Sequence, residues 1–238
     1  MKNRIIVVRH GDDPPDDRIY SYLVGAGYTV DLRKPFAGEN VPPIGSDGSI
    51  EPDIAGTVIH GGKYNAYDIE KHPFLKDEYR WIAASLQADI PMLGICQGCQ
   101  QIAWHLGAFA GAGDDGVYEF GYYEVRPTAQ ADGFLDDPLI VTQSHFHTFG
   151  IPQGATPLAT SDRFANQAFR YGDKVYGFQF HPEVTIEGFR RWQNADWAPY
   201  GEPGAQTRRE QTSLMMKHDD AQARWFYAFL EKLFVPVV

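Results

Sequence analysis

Cysteine is almost missing from this chain: there are two among 238 residues, Cys96 and Cys99. Two cysteines three positions apart cannot build a disulfide framework, and their scarcity fits a reducing compartment. Basic residues are also in short supply, with 21 Lys and Arg against 31 Asp and Glu and a formal net charge of −10. That balance speaks against a general nucleic-acid binder and an anionic-membrane binder, since both need a basic surface. Long apolar runs are absent. The N-terminal stretch MKNRIIVVRHGDD holds a run of only four, too short for a signal peptide, and no run approaches a membrane span. These absences predict a cytoplasmic protein with neither nucleic acid nor membrane as partner. Also missing are a G-x-x-x-x-G-K-[ST] phosphate loop, any other sign of an ATP-using synthetase, an internal repeat and a low-complexity tract.

What is present is ordinary for a globular protein, with 43% hydrophobic and 22% charged residues. The length suffices for one large α/β domain over residues 1–238. Residues 5–8 form a continuous apolar run, as in a parallel strand buried on both faces. A helix is predicted over 16–26, strands over 28–32 and 57–59, and a loop rich in Gly, Pro and Asp over 35–52. Leu75, Tyr79, Ile82 and Leu86 keep helical spacing. Strands alternating with helices imply a mainly parallel sheet flanked by helices. After Gly107 the pattern changes to short strand-like segments at 117–126, 139–142, 156–160, 165–170 and 174–180. These predict an additional small antiparallel layer. Further on, a helix is expected over 187–194 and an irregular loop over 196–205. Trp225, Phe229 and Leu233 recur every four residues, so an amphipathic C-terminal helix, about 218–234, is expected to pack on the body.

The chemistry centres on residues 91–107, PMLGICQGCQQIAWHLG. An apolar strand ends at Cys96, and residues 97–106 read as a helix. A Cys between strand and helix, flanked by Gly94 and Gly98, is a nucleophile-elbow pattern. The positive end of the helix points back at the sulfur and favours the nucleophilic thiolate. The spacing of Cys96 and Cys99 also admits a redox pair, and a lone Cys near a strand is often only a small apolar residue. A base elsewhere would separate these readings, and FQFHPE at 178–183 offers one.

Taken together, GICQGCQ and the distant FQFHPE resemble class I glutamine amidotransferases, whose signature is G-x-C-x-G-x-Q followed by H-P-E. HGGKYNAYD, EFGYYEV, SHFHTFGIP and FANQAF fall in the expected order, so the chain resembles the stand-alone branch related to the amidotransferase domain of GMP synthase, over roughly residues 5–192. The resemblance implies a flavodoxin-like α/β architecture and a catalytic triad of Cys96, His181 and Glu183. It implies release of ammonia from glutamine, or from another γ-glutamyl amide, through a γ-glutamyl thioester. No cofactor and no metal are implied.

The oxyanion of such a reaction needs fixed backbone N–H donors. Gln97, at the helix start, offers one by position. Gly61 and Gly62 follow a strand whose end should reach the same sheet edge, and the resemblance makes Gly62 the second donor. Gln100 lies one turn after Cys96 on the same helix face. By resemblance it holds the amino-acid end of glutamine, with Tyr123, Ser144, His145 and Phe146 as further substrate contacts. Three positions depart from the family pattern. Lys63 stands where Pro or Met is common, His147 where Asp is common, and Cys99 where His or Ala is frequent. Without a synthetase, an ammonia acceptor must sit on a separate subunit, or water is the acceptor and the chain is a γ-glutamyl conjugate hydrolase. A non-catalytic regulatory module on the same fold is the remaining alternative.

Overall fold

The computed structural model describes residues 2–113 and 116–237. The domain limits drawn from the sequence, 1 and 238, lie outside the described residues. In chain order, β1 (Arg4–His10), α1 (Arg18–Gly25), β2 (Thr29–Arg33), β3 (Ile54–Gly62), α2 (Phe74–Gln87), β4 (Met92–Ile95) and α3 (Gln97–His105) alternate between strand and helix. Seven strands come next: β5 (Ala110–Ala112), β6 (Glu119–Pro127), β7 (Leu139–His145), β8 (His147–Phe149), β9 (Ala155–Thr160), β10 (Ala168–Tyr171) and β11 (Val175–Phe178). Two helices close the chain, α4 (Ile186–Gln193) and α5 (Arg208–Leu233).

The main sheet runs β2-β1-β3-β4-β11-β10-β9-β6-β7. Its first five strands are parallel, and the remaining pairings are antiparallel. Most of the antiparallel segments therefore extend the parallel sheet, while β5 and β8 pair apart from it. Strand β11 joins the two halves of the chain. It arrives late in the sequence but inserts beside β4, with Phe178 level with Ile95.

The period of two in a strand divides the core. Ile5 and Val7 join Val58, Leu93, Ile95 and Phe178 on one face, where Phe226, Phe229 and Leu233 of α5 cover them. Ile6 and Val8 join Ile59 and Met92 on the other, under Trp81 of α2 and Ile102 of α3. A fully buried Trp must place its N–H. Trp81 Nε1 donates to Thr57 Oγ1 at 2.9 Å, and that hydroxyl donates to the Ile6 carbonyl at 3.0 Å.

Several boundaries differ from the sequence reading. β3 extends to both sides of 57–59 because it pairs with β1 along most of its length. α1 begins at Arg18, with Asp17 as N-cap accepting from Tyr20 N–H. The largest correction concerns α5, which starts at Arg208 rather than near 218. Thr207 and Glu210 form a capping box that fixes this start. The first six residues, RREQTS, contain nothing apolar, so no stripe marks them. Polar anchors replace it: Gln211 Nε2 donates to the Phe120 carbonyl at 3.0 Å, and Arg18 bonds Asp219 at 2.6 Å.

Phe229 sits among Phe134, Tyr176, Phe178 and Trp225 with ring separations of 4.9 to 6.1 Å. Phe229→Ala is expected to lower stability by about 3–5 kcal/mol, as for other truncated core aromatics. Urea unfolding measures this, and a loss below about 1 kcal/mol would mean that α5 is not anchored through this cluster.

Candidate active site

Strands β3, β4 and β11 are neighbours in the middle of the sheet, and their carboxyl ends converge on one edge. In open parallel sheets ligands bind at that edge. Cys96 follows β4 directly. Its backbone has φ 50° and ψ −108°, a conformation that costs a non-glycine residue of order 1–3 kcal/mol. Hydrogen bonds hold it there. Cys96 N–H donates to the Phe178 carbonyl at 2.7 Å, and Gln100 N–H donates to the Cys96 carbonyl at 3.0 Å. Gly98 explains why the helix can start so abruptly. A Cβ at this position would collide with the Ile59 carbonyl, so only glycine lets α3 rest on the backbone of β3.

The chain beyond β11 brings the base. His181 N–H donates to the Thr142 carbonyl at 2.8 Å, and His181 Nδ1 lies 2.8 Å from Glu183 Oε1. Gly61 shows how close the groups from the three strand ends are. A Cβ there would stand 2.9 Å from His181 Cε1 and 3.2 Å from Cys96 Cβ. Trp192 meets the His181 ring edge-on at 4.9 Å.

Burial alone would push the His181 pKa down. The charge of Glu183 and the Cys96 sulfur, with their hydrogen bonds, override it and lift the value from 6.5 to about 10. For Glu183, burial acts upward, but the facing His181 and the more distant His60 bring the carboxyl below its ordinary range. Cys99 is different. It is fully buried, where a Cβ on Gly177 would stand 3.0 Å from its sulfur, and burial, with the nearby Cys96, raises its thiol well above the usual value.

Gln97 opens α3, so its N–H has no acceptor within the helix. Its side chain ties the β3 loop to the helix start, as Oε1 accepts from Tyr64 N–H at 2.9 Å. Gly62 ends β3 in contact with this amide and with His10.

A cleft of about 1200 Å³ opens over Cys96, His181 and Glu183. Gln100, Ser144, His145 and Phe146 line it, and Phe146 is exposed. Gln100 Nε2 donates to Gln179 Oε1 at 3.0 Å, and the Ser144 carbonyl is 3.9 Å from Cys96 Sγ. One predicted contact is placed otherwise. The Tyr123 hydroxyl donates to the Gly204 carbonyl at 2.6 Å and is not brought to the cleft, because β6 turns that residue toward the 196–205 loop. The His145 ring, at the border of the cleft, has Nε2 3.1 Å from Glu119 Oε2 and Nδ1 2.8 Å from the His147 carbonyl. Lys63 extends over the Tyr64 ring, and His147 stacks on Tyr67.

Two residues in the site carried no signal taken up in the sequence. Gln179 is buried, with Nε2 3.6 Å from Cys96 Sγ. It precedes His181 by two, and the strand period would have put both on one side. Glu119 accepts from Ser161 and Gln167 and lies 3.1 Å from His145 Nε2, a network invisible without the fold. Among the described residues no group of three or more His, Cys, Asp or Glu could hold a metal ion, and no helix is long and apolar enough to cross a membrane.

A thiol at a strained turn, an imidazole and a carboxylate at the carboxyl edge of a parallel sheet make a geometry suited to acyl transfer. Comparison with known proteins agrees with that class. The family model for class I glutamine amidotransferases matches residues 19–191, and the chain belongs to this family. YfeJ of Salmonella typhimurium, a glutamine amidotransferase-like protein, is 33% identical over 172 residues, covering 68% of this chain and 67% of its own. The GMP synthase of Bacillus subtilis is 35% identical over 133 residues, covering 54% of this chain but 24% of its own length. The chain thus aligns with about a quarter of that synthase. A glutamine amidotransferase from Thermotoga maritima superimposes with a TM-score of 0.83 at 28% identity, covering 98% of both chains. One from Methylobacillus flagellatus gives 0.84 at 22% identity, covering 100% of this chain and 96% of its own, a likeness of fold.

The two cysteines are expected to react differently. A diazo-ketone analogue of glutamine should label Cys96, which lines the cleft, and leave Cys99 unmodified. Glutamine should protect Cys96. Peptide mass mapping after limited labelling reads the result, and equal modification of both sulfurs would overturn the assignment and revive the redox reading.

Proposed function

We propose that this protein hydrolyses the side-chain amide of glutamine, or of a γ-glutamyl amide, with Cys96 as nucleophile. The observation that carries the reading is the convergence of Cys96, His181 and Glu183 around Gly61. Cys96 Sγ attacks the amide carbon as a thiolate. The oxyanion that forms is met by the N–H groups of Gln97 and Gly62. His181, raised to about 10, holds its proton at neutral pH and gives it to the leaving nitrogen as the C–N bond breaks. Glu183 holds the other ring nitrogen and fixes its orientation. Water then attacks the γ-glutamyl thioester, His181 accepts its proton, and glutamate leaves with the thiolate restored.

The acceptor for the ammonia is a separate synthetase subunit in this reading. The length of the matched GMP synthases, about four times the aligned segment, supports such a division of labour. A second reading has an observation of its own. A cleft of about 1200 Å³ exceeds the roughly 300–1,000 Å³ that holds drug-sized ligands. Glutamine alone would leave most of it empty, which favours a donor carrying a larger group on the amide nitrogen.

Release of ammonia and glutamate from glutamine by the pure protein is the direct test; absence of both, with no cleavage of γ-glutamyl conjugates, would favour the non-catalytic module. His181→Ala should cost on the order of 10⁴–10⁶ in turnover. Glu183→Gln should cost less, because the imidazole that moves the proton remains. Retention of more than about a tenth of wild-type turnover by His181→Ala, a loss of under about 1.4 kcal/mol of barrier, would sink the triad. The pH profile is set by the direction of the shift. A His whose folded value is raised from 6.5 to about 10 keeps its proton through neutrality and loses it as pH rises through about 10. The basic limb of kcat/KM is therefore expected near pH 10; a basic limb near 6.5 would mean that His181 is not paired as described.

A further inference from the structure

Beside the end of β3 that carries Gly61 and Gly62 lies a buried polar pair that the proposed reaction does not use. His10, the last residue of β1, and Glu78, in α2, have side chains 0% and 1% exposed. His10 Nε2 lies 3.1 and 3.0 Å from the two Glu78 carboxyl oxygens. Glu78 Oε2 also accepts from Gln101 Nε2 at 2.6 Å, which ties the pair to α3. On the other side of the ring, His10 Nδ1 lies 3.0 Å from the His60 carbonyl. That carbonyl belongs to the peptide joining His60 to Gly61. A carbonyl only accepts, so Nδ1 carries a proton and donates it.

Burying a carboxylate and an imidazole this deeply is costly, and hydrophobic residues of similar volume often serve stability as well. The direction of the His10 bond suggests what the cost secures. The oxyanion donor of the proposed reaction, Gly62 N–H, sits in the peptide next to the one whose carbonyl is bonded, and a Cβ at Gly62 would clash with His10 Cβ. The chain just beyond β3 is held by Gln97 through Tyr64 N–H. The end of β3 is thus held at His60 by the His10 side chain and beyond it at Tyr64 by α3, with the two glycines between. Glycines confer no stiffness of their own, and the β1 pairing is irregular where His10 faces Gly62, so these side-chain bonds add to what the strand pairing supplies.

We infer that His10 is a positioning residue for the oxyanion end of β3, oriented by Glu78, and that its Nδ1–H bond to the His60 carbonyl aims the Gly62 N–H at the developing oxyanion. This rests on the reaction proposed above. His10 borders the cleft, but the two side chains are 0% and 1% exposed. The pair acts by fixing a donor that is worth about 10²–10³ in turnover when correctly placed, and a misplacement of about 1 Å costs on the order of 10².

Two substitutions separate this role from simple support of the fold. An Asn amide nitrogen occupies the place of Nδ1 and can keep the bond to the His60 carbonyl. A Gln amide nitrogen occupies the place of Nε2 and can keep only the bond to Glu78. Each variant retains one of the two contacts, so thermal unfolding should find them similarly stable. Steady-state hydrolysis of glutamine, or of the γ-glutamyl conjugate that the protein turns over, should not treat them alike. His10→Gln should lose about 10²-fold in kcat with KM changed less than about threefold, and His10→Asn should stay within about fivefold of wild type. Alkylation of Cys96 by iodoacetamide, which forms no oxyanion, should proceed at the wild-type rate in both. Equal kcat in the two variants, or a loss in kcat matched by a loss in alkylation rate, overturns the inference. Cys96→Ala is the control for the reaction itself: if it still hydrolyses the substrate, the proposed function fails, whatever the His10 variants do.

Discussion

The close approach of α3 to the backbone of β3 is the constraint on which the rest of the molecule turns. Gly98 lies against the Ile59 carbonyl with no room for a Cβ. Because the helix rests there, the chain must leave β4 and enter α3 within one residue, and that residue is Cys96. The strained φ and ψ of Cys96 result from this geometry. So does the position of Gln97, which opens α3 and whose side chain holds the chain leaving β3. A bulkier residue at 98 would lift the helix, relax the turn and separate all three groups together. Local strain at a functional turn persists only where the surroundings over-determine it. Here the bonds from Cys96 to Phe178 and from Gln100 back to Cys96 do so.

The same centre brings together groups that burial alone would neutralise. A buried imidazole tends to lose its proton and a buried carboxyl to gain one. His181 and Glu183 reverse both tendencies in each other at 2.8 Å, so the pair keeps its charges in a place largely closed to water. Cys99 shows the counter-case within the same helix. It is buried with no cation beside it, and its thiol is pushed further toward the neutral form. Two sulfurs three residues apart thus differ through the rotation of one helix, which turns Cys96 to the cleft and Cys99 to Gly177 and the core.

How legible this was in the sequence depended on whether a feature is local. The continuous run at residues 5–8, the elbow around Cys96 and the Trp225-Phe229-Leu233 stripe each express a short-range rule, and each lies where that rule puts it. The start of α5 was not legible, because its first six residues hold nothing apolar and Gln211 anchors it through a buried hydrogen bond, with Met215 the first buried apolar residue. The insertion of β11 beside β4 is a long-range pairing, and only the family resemblance pointed to His181 and Cys96 meeting. Tyr123 and His145 were read by position in a motif. Position gives a residue's place along a strand, but the Gly204 carbonyl and the Glu119 carboxylate decide where those side chains are held. The Glu119 and Glu78 networks join residues 23 to 68 positions apart, and no spacing rule reaches that far.

These two networks have a common form. In each, a buried glutamate faces a histidine and accepts from a side-chain amide, and the other nitrogen of that histidine bonds a backbone carbonyl at a strand end by the cleft. Glu78 takes His10 and Gln101, and His10 reaches His60. Glu119 takes His145 and Gln167, and His145 reaches His147. The first carbonyl lies at the end of β3, the strand that leads to the glycines beside Cys96. The second opens β8, just after Ser144 at the end of β7, whose carbonyl is within 3.9 Å of the sulfur. Backbone groups at a reaction centre must not wander. A rigid imidazole between a buried carboxylate and a strand-end carbonyl transmits the position of the core to the cleft edge with little freedom in between. The chain uses this device on both sides of one sulfur, so the two walls of the cleft are referenced to the same rigid sheet.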